Sequence, residues 1–134
     1  MAGSLTNYGE GKVLGHLFGG TTYAPLATWY VGLFSTAPTD STAGTELSGS
    51  GYARASVTNN TTNFPAVTAG NPVVTGVDVT LFTSSGSHTA AAMGLFDAST
   101  AGNLVAYDTF ASPVTIVNLD VVRIVAGQLT ISLD

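Results

Sequence analysis

The imidazoles are His16 and His88, and nothing in the sequence brings them together. His16 falls beside Leu17 in a helical stretch and His88 in a Ser/Gly turn, so both read as structural or solvent-facing. Acid–base or nucleophilic catalysis needs converging groups with tuned pKa values, and the supply is thin. The chain has no cysteine, which removes disulfides, thiolate metal sites and cysteine nucleophiles together. No window carries the G-x-S-x-G turn of a serine hydrolase; Ser48-Gly49-Ser50-Gly51 is loop chemistry. Gly44 to Gly49 (GTELSG) is not a phosphate loop, because no Gly-Lys-Ser/Thr follows and no helix begins there.

The acids deserve the same test. Asp97 and Asp108 flank a predicted hairpin that Asp78 or Asp120 can approach, and a glycosidase needs only two carboxyls held ~5 to 10 Å apart. Isolated acids near turns more often cap backbone N–H groups or face water. A calcium site built from these acids has no EF-hand spacing behind it. The sequence therefore assigns no catalytic, cofactor or metal residue, and the expectation is a protein that is not an enzyme. The side chains singled out are candidates for an interface: Glu46, Tyr52, Arg54, Tyr8 and His16. Arg54 has two partners open to it, Glu46 across a loop as a structural ion pair, or an acid on a neighbouring subunit. Tyr8, Tyr23, Tyr30, Tyr52 and Tyr107 offer a sugar- or protein-binding surface, although aromatics in strands are usually core.

Composition points the same way. Of 134 residues, 45% are hydrophobic and only 8% charged, against roughly 25% in soluble globular chains. Thr, Ser, Asn, Gly and Ala replace the missing charge. Thr keeps β propensity while staying polar, which suits a sheet with a neutral surface. Such a surface repels neighbours weakly and favours assembly. Eight acids face three bases, Lys12, Arg54 and Arg123, for a net charge of −5, which disfavours nucleic-acid binding. No apolar run approaches the ~20 residues of a membrane span, and the start lacks a signal-peptide pattern, so a membrane role and export are not expected. The sequons at Asn59 and Asn60 are matches that arise freely in a Thr/Asn-rich loop.

The elements that must position these residues follow from periodicity. Leu5 to Phe18 reads as a helix, with Asn7 as N-cap, Glu10 at N3, and Val13, Leu14, Leu17 and Phe18 at helical spacing. Gly19 and Gly20 end it. Gly9, Gly11 and Gly15 weaken it by ~1 kcal/mol each, so it needs packing to persist. Strands are predicted over 28–34, 52–58, 73–83, 90–96, 104–110, 114–117, 121–125 and 129–133. Residues 35–51 and 59–72 read as long loops, the first a candidate interface. In 28–34, Trp29, Val31 and Leu33 share one face and Tyr30, Gly32 and Phe34 the other. The fold class expected is a single, mainly β domain over 1–134, an antiparallel β-sandwich or jelly roll with one short N-terminal helix.

Several segments resemble the small virion structural proteins of tailed bacteriophages. They are Leu5 to Tyr8 (LTNY), Leu14 to Gly20 (LGHLFGG), Trp29 to Phe34 with Ala37-Pro38, Glu46 to Arg54 (ELSGSGYAR), Met93 to Asp97 (MGLFD), Gly102 to Leu104 and Ala126 to Asp134. The resemblance spans nearly the whole chain and transfers no active site, since the shared motifs are apolar strands and glycine turns. Members are often labelled tail fibre proteins, while small sandwich proteins of phage capsids act as cement. What it implies is a virion protein assembled in the host cytoplasm, homo-oligomeric, contacting the major capsid protein or neighbouring tail proteins. The favoured expectation is a capsid cement or decoration subunit, which gains by presenting loops and an edge strand to several neighbours. The alternatives are a tail fibre component and a lectin-like carbohydrate-binding module.

Overall fold

The computed structural model describes residues 4–65, 73–74 and 76–131. Its elements are β1 (Ser4–Leu5), α1 (Asn7–Phe18), β2 (Thr28–Thr36), β3 (Thr45–Glu46), β4 (Ala55–Thr58), β5 (Val73–Val74), β6 (Val79–Thr83), β7 (His88–Phe96), β8 (Leu104–Ile116), β9 (Val121–Ile124) and β10 (Thr130–Ile131). The protein is mainly β, every strand pair is antiparallel, and α1 is the only helix among the described residues. A six-stranded sheet runs β1-β8-β7-β2, with β3 and β4 sharing the outer edge of β2. Two small sheets, β6 with β9 and β5 with β10, complete the set. This arrangement is compatible with a sandwich.

The period-two pattern of β2 decides where the core sits. Val31 and Leu33 join Leu81, Met93, Leu95 and Ile116 in the main core, with Trp29 packed against it. Phe34 lies on the opposite face with Ala92 and Phe96, and Tyr30 and Leu104 pack on that cluster. Both faces of the strand are thus covered, and each large side chain so buried contributes roughly 1.5–3 kcal/mol.

The helix starts later than its sequence suggests, because Leu5 is taken by β1, where it pairs with Ala106 of β8. Thr6, not Asn7, is the N-cap: its hydroxyl oxygen accepts from the Gly9 N–H at 3.2 Å and donates to the Leu104 carbonyl at 2.6 Å. The cap thereby ties α1 to β8. Gly9 is the one buried residue of the helix, and a Cβ there would collide with the Val105 carbonyl oxygen. Its absence of side chain is what lets helix and strand approach.

Other differences have local causes. Residues 35–51 are not all loop: Ser35 and Thr36 extend β2, and β3 pairs back on it through Phe34 and Glu46. The strand expected over 52–58 shortens to β4. That over 73–83 divides into β5 and β6, and a bulge between Thr80 and Phe82 buries Leu81 and Phe82 together, against the expected alternation. The two strands expected over 104–110 and 114–117 are one, β8, in which Phe110 to Pro113 step out of the ladder between the Thr109–Ala92 and Val114–Ala90 pairs. Proline is tolerated there because a bulge asks for no ladder donor. The last predicted strand survives as β10, and 132–134, like 66–72 of the second loop, lies outside the described residues.

Candidate functional site

Three of the five interface candidates meet at the outer edge of β2. Arg54 grips Glu46 with both arms of its fork, Nε to Oε1 and Nη2 to Oε2, each at 2.7 Å. The Tyr52 hydroxyl donates to Glu46 Oε1 at 2.6 Å and accepts the Leu33 N–H at 3.0 Å. That N–H would otherwise be orphaned, since the pairing of β2 with β4 stops at Val31 and its pairing with β3 starts at Phe34. Tyr52 therefore fills a gap in the ladder.

Arg54 continues inward. Its Nη1 donates to the carbonyls of Ala98 and Ala101 at 2.7 and 2.8 Å, and its guanidinium lies 3.4 Å from the Phe96 ring centre. Phe96 is stacked on Phe34 in turn. The Arg54 side chain is only 7% exposed and that of Glu46 27%, so the pair is internal, the structural pairing of the two that sequence left open. Burial pushes the Glu46 carboxyl up, but the hydrogen bonds from Arg54 and Tyr52 outweigh it and hold the group below its ordinary value. Burial, then the bond to Glu46, pushes the Tyr52 phenol well up.

Arg54 clasps the turn after β7. Within that turn Asp97 accepts from the Asn103 backbone N–H at 2.6 Å and from its Nδ2 at 2.8 Å. Burial raises the Asp97 carboxyl, and these bonds overcome it and lower it. Ala101 is held at φ 51, a left-handed conformation that costs a non-glycine residue roughly 1–2 kcal/mol, and its carbonyl is one of those Arg54 holds. Tyr8 reaches the same turn from α1, its hydroxyl 3.4 Å from Asp97 Oδ2. His16 is apart, exposed in the last turn of α1, with Nδ1 accepting the Tyr23 N–H at 3.3 Å.

Sequence reasoning missed Gly32, beneath this network. A Cβ there would stand 2.8 Å from Tyr52 Oη, 2.9 Å from Phe96 Cε2 and 3.0 Å from Glu46 Oε1. Its position on the Tyr30–Phe34 face was legible, but the crowding that demands glycine was not.

The remaining acids work separately. Asp120 accepts from Val117 N–H, and Asp78 accepts from Ala126 N–H while facing Arg123 at 3.5 Å, both in the turn-capping role expected of them. Asp108 lies inside β8, opposite Met93, and is 5% exposed; burial pushes its carboxyl up. It lines a cleft that Asp97 does not share. Among the described residues no group of three or more His, Asp or Glu side chains is placed to hold a metal ion, and no helix is long and apolar enough to cross a membrane.

The surface carries large apolar side chains in two groups. One is the end of α1, Leu14, Leu17 and Phe18, the last 83% exposed. The other runs from the end of β8 through the turn and β9 to the residue after it: Val114, Val117, Leu119, Val121 and Val125. Leu119 combines 75% exposure with φ 73, a conformation that Asn or Gly adopts far more readily.

The family comparison places this charge-poor antiparallel β protein with the structural proteins of tailed-phage virions. Residues 4–132 match the family model Gp80, described as podophage GP4 fiber I protein gp80, and the chain belongs to that family. No curated protein matches it.

Proposed function

We propose that the chain is a non-catalytic fibre component of a podophage tail, acting as a homo-oligomer against neighbouring tail proteins. The observation that carries this reading is the pair of exposed apolar groups at 14–18 and 114–125 on a chain with 8% charged residues. Exposed apolar patches of this kind mark contact surfaces. Leu119 strengthens the case, because its exposure and its backbone strain both cost the isolated chain, and strain retained at one residue points to use. The fibre address is supported by the family description. The capsid-cement role expected from sequence draws on the same oligomerising features but has no comparable support.

Location in the particle is the test. Antibody against the chain, carried on gold and applied to intact particles, is expected to mark the tail. Label spread over the head shell would overturn the fibre address and return the cement role.

A further inference from the structure

We propose that the cavity beside the first half of α1 binds an amphiphilic organic anion, an apolar chain or ring ending in a carboxylate. The cavity holds about 400 Å³ and lies between α1, the loop after β4, and strands β2, β7, β8 and β10. Val13, Trp29, Phe64, Leu95 and Ile131 give it apolar walls. Trp29, Phe64 and Ile131 pack on the main core yet stay partly exposed, as the walls of an open cavity do. Its volume falls within the roughly 300–1,000 Å³ of small-molecule sites, which are apolar with a few placed polar groups. The site neither needs nor alters the fibre role.

Two hydrogen-bond donors select the charge of the ligand. Gly20, at φ 65, turns the chain back after α1, and the Tyr23 N–H then donates to His16 Nδ1 at 3.3 Å, which sets Tyr23 against the helix. Tyr23 lines the cavity, and its hydroxyl is buried without a hydrogen-bond partner. Orphaned buried donors are rare and costly, so one beside a cavity points to a ligand that pairs it. Lys12 lines the same cavity, its Nζ 5.8 Å from the Tyr23 ring centre and 5.0 Å from that of Tyr8. Those ring faces hold the ammonium in place but neutralise none of its charge. The ion pairs of the described residues are Arg54–Glu46 and Arg123–Asp78, neither of which involves Lys12.

The charge of the wall has one sign. Among the described lining residues Lys12 is the only charged side chain. Asp97 accepts from Tyr8 nearby, but it does not line the cavity and its oxygens are engaged by Asn103 and Tyr8. Asn59, the remaining polar side chain of the wall, turns its Nδ2 to the Leu26 carbonyl at 2.8 Å. A cationic ligand is repelled by Lys12, and a neutral hydrocarbon leaves the Tyr23 hydroxyl unpaired. A carboxylate accepts from Tyr23 Oη and Lys12 Nζ together, in charge-assisted bonds roughly twice as strong as neutral ones, while its apolar body replaces water along the walls.

Trp29 is the only tryptophan of the chain and lines the cavity, so its emission reports on this site. Titrating the full chain with decanoate is expected to change that emission saturably and to raise Tm, with decanol and decylamine binding about tenfold more weakly or worse. Tyr23→Phe and Lys12→Met should each raise the decanoate dissociation constant about tenfold. Tyr23→Phe also deletes the orphaned hydroxyl, so without ligand it should melt no lower than wild type and keep its circular dichroism. A wild-type chain with no saturable Trp29 response overturns the site. Decanol binding as tightly as decanoate, or decanoate affinity unchanged in Tyr23→Phe and Lys12→Met alike, overturns the anion as its ligand. Flotation with phosphatidylglycerol vesicles that decanoate fails to displace overturns a free carboxylate in favour of a membrane lipid.

Discussion

Arg54→Met removes the cation that joins β3, the turn after β7 and the Phe96 ring, while keeping an unbranched apolar stem in place. Breaking a buried pair from one side costs about 3–5 kcal/mol. Glu46 is 27% exposed, so water relieves part of that and the lower end applies. The lost contact with Phe96 involves the same guanidinium and adds only partly, within about 0.5–2 kcal/mol. A total near 3.5 kcal/mol, divided by an unfolding entropy of about 2.1 cal/mol/K per residue, lowers Tm by roughly 10–15 °C. Thermal and urea unfolding followed by circular dichroism read this directly. Their pH dependence carries the sharper test. In the wild type, Glu46 titrates in the folded state below its unfolded value, so its stabilisation is present above that value and lost as pH falls through the folded one. In Arg54→Met only the Tyr52 hydrogen bond still opposes burial, the largest single influence, so the folded value rises and the sign of the Glu46 contribution inverts. The gap between the proteins should therefore be widest near neutrality and narrow below about pH 4. Adding Glu46→Gln to the variant should recover part of the loss by removing the stranded charge. A gap under about 1 kcal/mol, or one independent of pH, would refute the claim that this pair holds the turn.

Two further outcomes follow from single side chains. Asp108→Asn should stabilise the chain at pH 7, because burial raises the folded carboxyl: its contribution is fully present below the unfolded value of about 4 and lost as pH rises. Urea unfolding at pH 7 and pH 3.5 should show the advantage at the first and little at the second; equal curves at pH 7 would contradict it. Leu119→Asn relieves left-handed strain at an exposed residue and should raise stability by on the order of 1 kcal/mol while weakening self-association in sedimentation. A variant that is no more stable would remove strain from the argument for an interface there.

Much of this was legible in the sequence where one side chain's period or charge sufficed. The alternation in β2 revealed two buried faces, and Glu46 and Arg54, on either side of a glycine-rich turn, offered a pair as one of two readings. The misses are those where backbone meets backbone. Pro113 reads as a strand break, yet β8 runs through it because the residues around it have left the ladder. β3 is two residues long and has no period to detect. Gly9 and Gly32 read as weak points of a helix and a strand, and only the approach of Val105 and of Tyr52, Phe96 and Glu46 shows them to be required. The N-cap moved by one because Thr6 finds acceptors on β8, a partner far along the chain.

That last contact bears on synthesis. Ser4 pairs with Tyr107, and the Thr6 N–H donates to Val105, so the ties of β1 and of the α1 cap to β8 form only after about a hundred further residues have been made. At ribosomal speeds of about 5–20 residues per second that wait is of the order of 5–20 s. Throughout it, Leu14, Leu17 and Phe18 stand free on a segment too glycine-rich to hold a helix alone. The order in which these segments meet is written into the distance between residues 4 and 107.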